Sequence, residues 1–248
     1  MLTSAVAQFL GPLTGGFLID HSNHATTCLY LAMLTMAPIA ILLARGNRLP
    51  GGARSTTKVV GGVRKLLTDP VVRKALITGS LINAGINLYQ VYMPVYAHSI
   101  GLSASAIGIL LAMNSAAAFV VRFGLPQLLV KLGEQRLLTY AFFVGATSLT
   151  LIPFFYNHVL LAMLSFAFGL GMGCGQPIVI MLMFSNSKDG RSGEALGLKF
   201  TTNQLTKLAT PILFGAIASA LGLFPTFWIN AAMMVAGGII SRPRPPAK

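Results

Sequence analysis

RGNRLPGGARSTTKVVGGVRKLLTDPVVRK, residues 45–74, is the longest polar stretch of this chain, and its reading decides the fold. It holds eight of the eighteen Lys and Arg residues and a single acid, Asp69. Two apolar segments precede it and six follow. A loop of clustered Lys and Arg between membrane spans is held on the cytoplasmic side, because translocating it is unfavourable. Placing this loop inside sets the orientation of every other segment.

Composition supports spans. Of 248 residues, 54% are hydrophobic and 9% charged, and the mean hydropathy is +0.74. A soluble domain carries about 25% charge, so this chain lacks the charge to cover a soluble surface. The expectation is an all-α membrane protein with about eight transmembrane helices in a lipid bilayer. Its net charge of +13 does not point to nucleic acid, because the basic residues sit between spans rather than along one surface with interleaved aromatics. Cys28 and Cys174 fall inside apolar segments and read as small packing residues rather than a disulfide.

Segments long enough to cross a bilayer, about 17–25 apolar residues, lie near 2–20, 26–44, 75–97, 104–130, 137–155, 158–184, 195–221 and 224–240. The first is not read as a signal peptide: it has no basic n-region or A-x-A site, and a second span follows closely. With residues 45–74 inside, the Lys131–Arg136 turn, the Lys188–Arg191 turn and the tail with Arg242, Arg244 and Lys248 are inside too. The opposite turns, Asp20–Ala25, His98–Ser103, Tyr156–His158 and Gly222–Pro225, contain no Lys or Arg. This bias predicts a multi-pass protein of the cytoplasmic (inner) membrane with both termini cytoplasmic. Within the basic loop, Ser55 caps either a short interfacial helix through Leu67 or a solvated linker, and both readings stay open. Asp69-Pro70 then starts the next span, with Asp as N-cap and Pro in the first turn.

Polar residues inside spans are the functional candidates, since each must find water or a partner. Asn83, Asn87 and Gln90 recur at i, i+4, i+7 on one helical face. Asn114 and Arg122 share a face eight residues apart, and Lys199, Asn203 and Lys207 are spaced by four. Three polar stripes suit the walls of a water-filled cavity. The plain alternative is interhelical hydrogen bonding, with cytoplasmic snorkelling for Lys199. Gln176 precedes Pro177 and serves either a ligand or the carbonyls that the proline frees. His21 and His24 are three apart beside Asp20, but no carboxylate or Cys cluster completes a metal site, and no cofactor is expected. All five acids lie in loops or at span ends, leaving no mid-membrane carboxylate to carry a proton. No convergent nucleophile, metal set or carboxylate pair marks the spans as those of an enzyme.

The first span carries Gly11-Pro12-Leu13-Thr14-Gly15-Gly16, glycines and a proline that allow close helix approach and a bend. GP-x-x-GG near one end of a span resembles the fifth-helix signature of the major facilitator superfamily, above all its drug/proton antiporters. Ala7 stands where the family has an upstream glycine. Tyr92-Met93-Pro94-Val95-Tyr96 with Gly101-Leu102-Ser103 and Ile107-Gly108 resembles the family's helix seven–eight turn. Gly175-Gln176-Pro177, followed by residues 190–198 (GRSGEALGL), resembles its helix ten–eleven turn. Pro211-Ile212-Leu213-Phe214-Gly215 in the seventh span echoes Pro12 to Gly16, as two related halves require. The family's G-x-x-x-D-R-x-G-R-R loop has a degenerate counterpart at residues 126–136, with Val130 in the place of the Asp.

The resemblance implies an incomplete twelve-helix fold. Residues 1–45 are then the last two helices of an N-terminal half and 46–74 the inter-half loop. Residues 75–241 form a six-helix C-terminal half, and 242–248 a cytoplasmic tail. It further implies alternating-access transport of a small solute, of efflux or antiport type, with protons as a coupling ion. Arg122 and Lys207 either bind an anionic solute or neutralise carboxylates on helices outside this chain. The alternative is a non-transporting membrane fragment or partner subunit.

Overall fold

Spacing, caps and turn residues explain the observed elements. The computed structural model describes residues 2–22, 24–45, 68–186 and 192–242. Most of the basic loop, including the stretch from Ser55 to Leu67, lies outside the described residues, as do 187–191 and the tail from 243. The described residues form eight α-helices and no strand: α1 (Leu2–His21), α2 (His24–Arg45), α3 (Pro70–Ser99), α4 (Ala104–Leu132), α5 (Glu134–Leu151), α6 (His158–Asn186), α7 (Ser192–Leu221) and α8 (Leu223–Ser241). A 3-10 turn, Ile152–Phe154, extends α5 at Pro153.

α3 and α4 start where short polar side chains satisfy free N–H groups. Asp69 Oδ1 accepts the Val71 N–H at 2.8 Å with Pro70 at the helix start. Ser103 Oγ accepts the Ala106 N–H at 3.2 Å. Gly133 at φ 75° separates α4 from α5, a left-handed backbone that only glycine adopts without strain. At 30 residues α3 is about 45 Å long, more than the roughly 30 Å of bilayer hydrocarbon, so it tilts or protrudes.

Among the described residues, five helices, α4 to α8 (α5 with its 3-10 extension), are long and apolar enough to cross a membrane. α1, α2 and α3, expected as spans, are not in that set, and in α3 Arg73, Lys74, Asn83, Asn87 and Gln90 account for the lower apolar mean. Large apolar side chains such as Phe123, Val130, Leu208 and Ile212 are exposed along the outer faces, the pattern expected where acyl chains are the solvent.

α6 is the centre of the bundle, packed against α4, α5 and α3, with Phe142, Tyr89, Phe168 and Ile178 in the core. The Tyr89 and Phe168 rings stack at 4.7 Å. At one end Lys74 Nζ donates to the Arg242 carbonyl at 3.0 Å, tying α3 to the end of α8. At the other end the Tyr96 hydroxyl donates to the Phe155 carbonyl at 3.2 Å. α1 rests chiefly on α4, whereas α2 touches α1 lightly and exposes Leu29, Tyr30, Met33 and Met36.

Candidate functional site

The candidate site forms where α6 meets α4, and small residues set how closely they meet. A Cβ added to Gly173 would lie 2.6 Å from the Ala118 Cα, and one added to Gly169 would collide with the Asn114 carbonyl. The two backbones therefore touch, and Asn114, Arg122 and Gln176 share one wall. α3 supplies the facing wall through Asn83, Asn87 and Gln90. Lys207 of α7 and Gln8 of α1 complete a cavity of about 240 Å³.

The chemistry of this space is polar and positive. Arg122 and Lys207 are its charged lining residues, and no Asp or Glu is among them. Amides make up most of the remaining polar lining, offering both donors and acceptors. Part of that capacity is spent inside the protein. The Asn83 side-chain amide donates to the Asn203 carbonyl at 2.9 Å, and the Asn87 amide donates to the Asn83 carbonyl at 2.7 Å.

Two sequence candidates sit differently from the cavity-lining reading. Asn203 is not a lining residue: α3 and α7 pack together at its level, and its carbonyl is the acceptor for Asn83. Lys199 does not snorkel to the helix end. It is 3% exposed, its ammonium donates to Gln176 Oε1 at 3.0 Å, and it lies 5.7 Å from the Phe200 ring centroid. Gln176 therefore both lines the cavity and accepts a hydrogen bond from a buried cation.

Gln8 and Ser115 line the cavity and were not among the candidates read from sequence. Gln8 is a polar residue inside an apolar span, a signal that was available. Ser115 donates its hydroxyl to the Gln8 carbonyl at 3.0 Å, and a serine beside Asn114 carries almost no pattern of its own.

The glycine motif of α1 divides in two. A Cβ on Gly16 would strike the Ala104 carbonyl, and one on Gly108 of α4 would strike the Pro12 carbonyl, so Pro12 and Gly16 form a backbone seam with α4. Among the described residues, no neighbour packs within 4 Å of such a Cβ at Gly11, Gly15 or Gly215. Gly16 is therefore the glycine of this motif that packs against a neighbouring helix among the described residues. Pro211 lies inside α7, four residues before Gly215.

A larger space of about 500 Å³ opens between α3, α7 and α8. It is a poor polar site, because the hydroxyls of Ser80, Thr202 and Thr206 donate to carbonyls of their own helices at 2.8–2.9 Å.

Comparison with known proteins agrees with this arrangement. The sequence profile described as Major Facilitator Superfamily matches residues 1–206 and 136–248. Among curated proteins the chain is similar to "Multidrug resistance protein MdtG" of Salmonella schwarzengrund (strain CVM19633), 23% identical over 240 residues, which cover 94% of this chain and 59% of that protein. The MdtG proteins of Salmonella newport (strain SL254) and Salmonella typhi match with the same identity and coverage. The chain thus spans about 59% of the length of the curated relatives it matches. With a profile match across its whole length and apolar helices packed around a polar cavity, this multi-pass membrane protein belongs to the major facilitator superfamily.

Proposed function

We propose that the chain supplies the larger part of an alternating-access secondary transporter, of efflux or antiport type, that moves a small anionic solute out of the cell. Secondary transport in general follows from the family. The observation that carries the finer reading is convergence: Asn83, Asn87, Gln90, Asn114, Arg122, Gln176 and Lys207 come from four helices to one cavity of about 240 Å³. Polar groups in a span are costly unless they serve a partner or a water-filled space, and their meeting in one cavity supports such a space. Two cations and no acid in its lining favour an anion. Efflux is proposed because the relatives are named multidrug resistance proteins.

In this reading α1 and α2 are the last two helices of one half and α3 to α8 the other half, joined by the basic loop 46–74. Both termini face the cytoplasm, and the two halves rock about the cavity between them. The unfilled surroundings of Gly11, Gly15 and Gly215 and the sparse contacts of α2 support a chain that packs against further helices. The same observations favour one second reading, a partner subunit or fragment that does not transport alone.

The test is a fusion of the chain behind the first four helices of an MdtG relative, assayed for solute efflux. Arg122→Ala and Lys207→Ala should each cut efflux of anionic solutes while insertion into the membrane stays intact. Losing an intramembrane charge eases insertion, by up to about 3 kcal/mol. Normal transport kinetics in both variants would return these side chains to a packing role.

A further inference from the structure

The space of about 500 Å³ between α3, α7 and α8 shares no lining residue with the polar cavity. Its floor is α3, where Leu76 and Ala84 are buried. Both α7 and α8 pack along α3, but they touch one another only lightly. A Cβ on Gly237 would strike the Phe142 ring, so α8 is seated on α5 and stands off from α7. What remains is a trough over α3, walled by Phe214 of α7 and Met233 of α8, with Ile77 and Leu213 exposed at its mouth. Among the described residues its charged lining side chain is Arg73, exposed near the start of α3, and no Asp or Glu lines it. The carboxylate one turn back, Asp69, is engaged by the Val71 N–H.

We propose that this trough binds one anionic phospholipid, its phosphate paired with Arg73 and an acyl chain lying along α3 between α7 and α8. Water is a poor filler, because it needs two to four polar partners. The hydroxyls of Ser80, Thr202 and Thr206 are already spent on carbonyls of their own helices. An empty apolar trough forfeits dispersion contacts with its walls, and a hydrocarbon chain restores them. The length fits as well. Arg73 and Ala84, the outermost lining residues of α3, are eleven residues apart, about 16 Å along a helix. That is roughly half of a 30 Å hydrocarbon core, so a chain that starts at Arg73 stays within one leaflet. The headgroup end matches in charge. A guanidinium takes phosphate oxygens two at a time, and its long stem reaches the headgroup level. Lys74 and Arg242 stand at the same end of the bundle, joined by the hydrogen bond from the Lys74 ammonium to the Arg242 carbonyl. Their field favours a net negative headgroup over a zwitterionic one. The proposal needs a chain that spans a membrane and uses neither the polar cavity nor the direction of transport.

The whole chain in detergent is given equal amounts of phosphatidylglycerol and phosphatidylcholine with identical acyl chains, and retained lipid is counted by native mass spectrometry. One phosphatidylglycerol per chain should be kept, with a preference of about fivefold, the factor one basic residue near an anionic membrane surface is worth. Arg73→Gln should bring the ratio of the two lipids close to one. Ala209→Phe, at an exposed lining position, should fill the trough and lower retention of both lipids. Lys131→Gln removes an exposed cation at the same end of the bundle but outside the trough, and should change neither. Equal retention of the two lipids by the unaltered chain overturns the site, as does a preference that survives Arg73→Gln. A preference that Ala209→Phe leaves intact also overturns it, because Arg73 is then a surface charge without a trough. Loss of the lipid when the chain is fused behind the first four helices of an MdtG relative overturns it too, since a helix then fills the trough. Should Ala209→Phe fail to fold, Arg73→Gln, which changes an exposed side chain, decides alone. Normal transport by the Arg122 and Lys207 variants overturns the cavity reading and leaves this test untouched.

Discussion

Gly15 and Gly16 are neighbours in sequence with opposite surroundings. A Cβ on Gly16 meets the backbone of Ala104, and a backbone cannot rotate aside, so Gly16→Ala should lower thermal stability by about 1–3 kcal/mol. Gly15→Ala meets nothing within 4 Å and removes a poor helix former, so it should be neutral or stabilise by up to about 1 kcal/mol. Melting curves of the two single variants in detergent check the contrast, and equal effects would remove the seam. A second contrast sits at Gln176, whose Oε1 accepts from the buried Lys199 ammonium. Gln176→Leu leaves that charge without this acceptor and should cost about 1.5–3 kcal/mol, the range for hydrogen bonds to charged groups. Adding Lys199→Met, which removes the charge and keeps the bulk, should recover most of the loss in a double-mutant cycle.

Among the helices, α3 joins cavity and topology. One face carries Asn83, Asn87 and Gln90 to the cavity, while Leu88, Tyr89 and Met93 are buried in the core. Its ends differ in charge: Arg73 and Lys74 stand in the first turns, and the last turn has His98 alone. The bias predicts that the α3–α4 end faces outside. In a cysteine-free background, cysteines at Ser99 and Tyr156 should react with an impermeant thiol reagent added to intact cells. Cysteines at Lys131 and Arg242 should react only after permeabilisation. The reverse pattern would invert the topology.

At the scale of the whole molecule the faces of the bundle do not match. α6 is enclosed by neighbours, whereas α2 exposes Leu29, Tyr30, Met33 and Met36, and α7 exposes Leu205, Leu208, Ile212 and Leu213. Apolar faces suit lipid, but the cavity between them is walled by only one helix from the α1–α2 side, through Gln8. A pathway that opens alternately to two sides needs walls on both halves. The chain by itself, reconstituted in liposomes with and without a pH gradient, should therefore show no saturable uptake of labelled organic anions. Saturable, gradient-dependent uptake would require that this chain builds both walls, for example as a dimer.

How much of this was written in the sequence differs by level. Apolar runs of bilayer length, with Asp69-Pro70 opening the third, placed the helices within a few residues of where they lie, because these signals are local. The polar stripes of α3, α4 and α7 were equally legible, since helical period alone aligns residues four and seven apart. Which stripe members face one another was not. Asn203 turned to α3, Lys199 paired with Gln176, and Gln8 joined the cavity, all through contacts between helices far apart in sequence. The glycines show the division most sharply. Gly11, Gly15 and Gly16 are alike as letters, and only the approach of α4, set by Gly108, made one of them indispensable to packing. Periodicity and turn chemistry act within a helix and can be read along the chain, whereas the meeting of two backbones depends on the shapes of both, and that was decided by the tertiary structure.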